Sequence, residues 1–95
     1  MTNYEIMFVV RPDMEEAEIR KTAEEMKKVL TDAKAKVLDE KAMGQKELAY
    51  EIKKFNTGYY FLLTVEASKE AEQEFNRVAR MNESLLRHII VKVED

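Results

Sequence analysis

Tyr59-Tyr60-Phe61-Leu62-Leu63-Thr64-Val65 is a seven-residue aromatic and aliphatic run broken only by Thr64. Apolar side chains on both parities of so short a run mark a strand with neighbours on each side, central in a sheet. Directly before it, Phe55-Asn56-Thr57-Gly58 reads as a turn. Upstream, Leu48, Tyr50 and Ile52 alternate, so the strand that begins near Val37 and Leu38 returns as a long hairpin into Tyr59–Val65. Gly44 interrupts that strand and suggests a bulge. Downstream, Ser68 is a helix cap, and Ala71, Phe75 and Val78 form a buried stripe that ends at Asn82-Glu83-Ser84.

The two ends of the chain repeat this alternation. Tyr4, Ile6, Phe8 and Val10 share one strand face by period two, and Arg11-Pro12 stops the strand. Asp13, with Glu16 three residues on, predicts a capping box for a helix over about Met14 to Thr31. Ile19, Ala23, Met26 and Leu30 are its expected buried stripe. Leu85 to Val93 reads as a last strand. Strand, helix, strand, strand, helix, strand is the ferredoxin-like βαββαβ order of an α+β protein. Right-handed crossovers place both helices on one face of a four-stranded antiparallel sheet. Ninety-five residues make this a single domain over 1–95.

The other sheet face is left for water or a partner. If Ile6, Phe8, Phe61, Leu63 and Val65 point to the helices, that face carries Met7, Val9, Tyr60, Leu62 and Thr64. This apolar patch suits a protein-partner surface.

Composition narrows the chemistry. There is no cysteine and one histidine, so disulfides, thiolate metal sites and a histidine cluster are excluded. The two glycines are isolated, so no Gly-rich phosphate loop exists. His88 lies within a strand, where packing explains it, and no catalytic constellation emerges. No cofactor, metal, small-molecule substrate or membrane contact is expected. Met1–Glu5 lacks the basic lead and apolar stretch of a signal peptide, so a cytoplasmic location is expected. Net charge is −3, yet Arg77, Arg80, Arg87 and Lys92 face only Glu83 over the sixteen positions from 77 to 92, giving one basic edge.

Four stretches carry a family resemblance. They are Tyr4-Glu5-Ile6-Met7 followed by Arg11-Pro12; Gly44 followed by Leu48-Ala49-Tyr50-Glu51-Ile52; Gly58-Tyr59-Tyr60 leading into Val65-Glu66; and Leu86-Arg87-His88-Ile89-Ile90-Val91-Lys92. In order and spacing they resemble the bacterial small-subunit ribosomal protein six family over essentially the whole chain. The resemblance implies a non-enzymatic protein. It would bind the central domain of the small-subunit ribosomal RNA as a heterodimer with ribosomal protein eighteen. After the glycine the family usually runs through two or three basic residues, whereas here the run is Gln45-Lys46-Glu47. Lys46 is the one cation kept, so Arg80, Arg87 and Lys92, with Asn3 and Tyr4, are the other expected RNA contacts. Two rivals on the same fold are a small-molecule-sensing homodimer and an acyl-phosphate hydrolase. Both need a glycine-bearing loop after the first strand, and Arg11-Pro12-Asp13 has none.

Overall fold

The computed structural model describes residues 2–93. The elements run β1 (Thr2–Val10), α1 (Glu16–Asp32), β2 (Lys36–Ile52), β3 (Phe55–Ala67), α2 (Lys69–Met81) and β4 (Leu85–Lys92). The strands form one antiparallel sheet in the order β2-β3-β1-β4. The aromatic run is therefore central, as its two apolar parities require.

Both helices cover the face built from alternate residues of β1 and β3. Ile6, Phe8, Val10, Leu63 and Val65 share one buried cluster with Ile19, Met26 and Leu30 of α1 and with Ala71, Phe75 and Ala79 of α2. The Phe8 ring stacks on Phe61 at 5.2 Å between centroids and tilts toward Phe75 at 6.3 Å. Such pairs favour offset or tilted geometry, so the three rings fix the spacing between sheet and α2. Val78 and Ile90 pack against this cluster only half-buried.

Several local expectations need correction. Asp13 does not cap α1. Its carboxylate accepts two hydrogen bonds from the Arg11 guanidinium, at 2.7 and 2.8 Å. That bidentate pair outcompetes a cap made to uncharged backbone amides. The helix starts two residues later with Glu15 in the cap position and no side-chain cap. The buried stripe of α1 takes Thr22 in place of Ala23, and the Thr22 hydroxyl donates to the Glu18 carbonyl at 3.0 Å. Ser68 does cap α2, accepting from the Ala71 amide at 3.2 Å. Lys27 of α1 reaches Glu40 of β2 at 2.8 Å and ties the helix to that edge strand.

The hairpin reverses at Lys53-Lys54, with Ile52 opposite Phe55, and not at Phe55–Gly58. Lys53 and Lys54 have φ of 50° and 70°, the left-handed pair that a tight two-residue hairpin demands. Gly44 sits at a break in the β2–β3 register with φ of 82°, the expected bulge.

Candidate interface for protein and nucleic acid

The sheet face away from the helices is organised in rows that cross all four strands. Lys41, Leu62, Met7 and Ile89 stand side by side in the middle row. Gly44, Tyr60, Val9 and Arg87 form the row toward the hairpin end. Asp39, Thr64, Glu5 and Val91 form the row on the other side. Met7, Tyr60, Leu62 and Ile89 are half-buried with no helix over them, and Val91 is 52% exposed. The middle of the face is apolar, and the charged residues Arg87, Lys41, Asp39 and Glu5 stand around it, the distribution of an interaction surface. Ile89 and Val91 extend the expected patch onto β4. Their parity with Met7 follows only from the β1–β4 register, which the sequence does not display.

Val9 is a correction. It lies on this face, but it is only 2% exposed and belongs outside the main core. Gly58 has no side chain, and Val9 Cγ1 fills the space where one would stand, with Leu86 beside it. The register break between Val9 and Val10 leaves Leu86 without a partner on β1. Val9 therefore offers the face little surface.

The expected RNA contacts do not converge on one rim. Arg87 stands on the open face, opposite Val9. Lys92 is five residues further along β4, on the other parity, roughly 17 Å away at ~3.3 Å per residue. Tyr4, opposite Lys92, turns its ring toward the helix-side cluster. Asn3 accepts the Val93 amide at 2.8 Å through its backbone carbonyl. Arg80 lies near the end of α2, on the helix side, close enough to His88 for its charge to act there. His88 holds Asn76 Oδ1 at 2.6 Å. Burial pushes the His88 imidazole below its ordinary pKa, and the Arg80 charge adds to the effect. Lys46 is opposite Gly58, near the hairpin end of the face.

One contact joins the two edges of the sheet. Arg87 of β4 donates to the Tyr50 hydroxyl of β2 at 2.6 Å, and its guanidinium stands 5.8 Å from the ring centroid. Because β2 and β4 are the outermost strands, this places the end of the hairpin across the open face. Among the described residues, no helix is long and apolar enough to cross a membrane.

Two comparisons agree with this architecture. A family model described as Ribosomal protein S6 matches residues 3–92. The crystal structure of the 30S ribosomal protein S6 from Thermotoga maritima is similar to this chain with a TM-score of 0.92 at 30% identity. That match covers 97% of this chain and 87% of the other. With nearly every described residue inside the family match and the same fold throughout, the chain belongs to the ribosomal protein S6 family and is a small-subunit ribosomal protein.

Proposed function

We propose that the chain is a non-enzymatic component that binds the central domain of the small-subunit ribosomal RNA together with ribosomal protein eighteen. The observation that carries this reading is the uncovered apolar row Leu62–Met7–Ile89, bordered by Val91 at 52% exposure. A partner that covers it removes apolar area from water, at about 25 cal/mol per Å². The chain's net charge of −3 is unsuited to holding RNA alone. A basic partner on the open face supplies the missing positive field, while exposed cations such as Arg87 and Lys46 near the hairpin end of the face reach phosphates.

The test is a mobility-shift titration of central-domain RNA with the chain, with ribosomal protein eighteen, and with both. The expected result is a stable shift only with both, after the two proteins form a one-to-one complex. Self-association of the chain through its sheet, with no complex to ribosomal protein eighteen, overturns the reading in favour of a homodimeric module.

A further inference from the structure

We propose that the tip of the β2–β3 hairpin is an RNA contact of its own, in which an unpaired base stacks on Tyr50 while Lys46, Lys53 and Lys54 hold the adjoining phosphates. This deepens the RNA-binding reading above and rests on it.

Tyr50 is 59% exposed although its hydroxyl is bonded to Arg87 and the guanidinium stands over the ring. The guanidinium is held at the hydroxyl end, 5.8 Å from the ring centroid, and the large remaining exposure leaves ring surface to a ligand. An exposed tyrosine held by an arginine is a platform of fixed orientation, and base stacking on such rings is sequence-tolerant. The other arm of the tip is held as well: the Arg11 guanidinium lies 5.3 Å from the Phe55 ring centroid. Arg11 is itself paired with Asp13, so it acts as an anchor and not as a phosphate ligand.

The cations of the tip are unspent. Among the described residues, Lys46, Lys53 and Lys54 enter no ion pair, as is true of most of the chain's cations, while Arg87 is engaged by Tyr50. All four are exposed, against only Glu47 and Glu51 on the same stretch of β2. The turn itself is the third observation. A tight reversal with positive φ at both central residues favours Asn-Gly, and here lysine stands at both. An acidic protein would answer the cations but not the exposed ring face. Single-stranded RNA answers both.

The turn provides its own test. Lys53→Asn/Lys54→Gly removes two cations while installing the residues the turn geometry prefers. The variant is measured with ribosomal protein eighteen, by filter binding to small-subunit ribosomal RNA across a salt series. Expected are a Tm raised by roughly 4–8 °C and a slope of log affinity against log salt shallower by about two. Tyr50→Ala is expected to lose roughly tenfold in affinity, and Tyr50→Phe, which keeps the ring but loses the bond to Arg87, to lose less. Lys21→Gln/Lys28→Gln on α1 is the charge-matched control and is expected to leave the slope unchanged. If the wild-type complex binds and the turn variant binds with the same slope, the tip contact is refuted and the broader reading survives. Equal losses in turn variant and control also refute it, as does a turn variant that loses the protein partner and keeps the RNA. If the wild-type complex does not bind the RNA at all, both readings fall.

Discussion

The Val9 side chain occupies the volume that a side chain on Gly58 would need. The two residues belong to the neighbouring strands β1 and β3. Gly58→Ala is expected to destabilise the fold by roughly 1–3 kcal/mol through overpacking. In Val9→Ala/Gly58→Ala the new methyl has room, so the double variant should be more stable than the sum of the singles. Denaturant unfolding of the four proteins measures the coupling. Additive losses would mean that the contact is not the reason for the glycine.

Gly44 is glycine for a different reason. Nothing stands within 4 Å of where its Cβ would be, but its φ is 82°. Gly44→Ala should therefore cost about 1 kcal/mol from backbone strain, and no second substitution nearby should relieve it. The same unfolding series separates the two glycines.

Leu30 is fully buried between α1 and the sheet. Leu30→Ala is expected to cost about 2–5 kcal/mol. A loss under half a kcal/mol, measured by chemical denaturation, would contradict the packing of α1 described above.

His88 gives a pH dependence with a defined sign. Its folded-state pKa lies below the ordinary 6.5, chiefly because of burial and secondly because of Arg80. The unfolded chain therefore binds this proton more readily than the folded one. Stability held above pH 6.5 is lost as pH falls from there toward the folded-state pKa. His88→Gln should flatten the stability profile over that window. Arg80→Ala should raise the His88 pKa, measured by NMR titration, without restoring its ordinary value, because the larger cause remains.

The order of elements was legible because period-two and period-3.6 patterns are local. Ser68 and Gly44 were legible for the same reason: a cap and a bulge are decided within a few residues. The misreadings came from competition and from distance. Asn56-Thr57-Gly58 has turn chemistry, yet Gly58 is a strand residue, its missing side chain serving Val9. The true turn at Lys53-Lys54 carries no local signal. Asp13 suits a cap, but Arg11 two residues earlier takes its carboxylate. The candidate site was legible in Met7, Tyr60 and Leu62, which share the open face by alternation. Ile89, Val91 and the Arg87–Tyr50 bond depend on register between strands far apart in sequence, which no local pattern encodes.

The central claim is that the open sheet face docks the protein partner through which the chain joins RNA. Leu62→Glu puts a charge into the middle row, where burial without a partner ion is costly. Tagged wild-type and Leu62→Glu chains, both shown to be folded by circular dichroism, are sedimented through sucrose gradients with small ribosomal subunits reconstituted without the endogenous protein. The expected result is wild type in the subunit peak and Leu62→Glu at the top of the gradient. Equal recovery of both in the subunit peak would contradict the claim and move the docking surface off the open face.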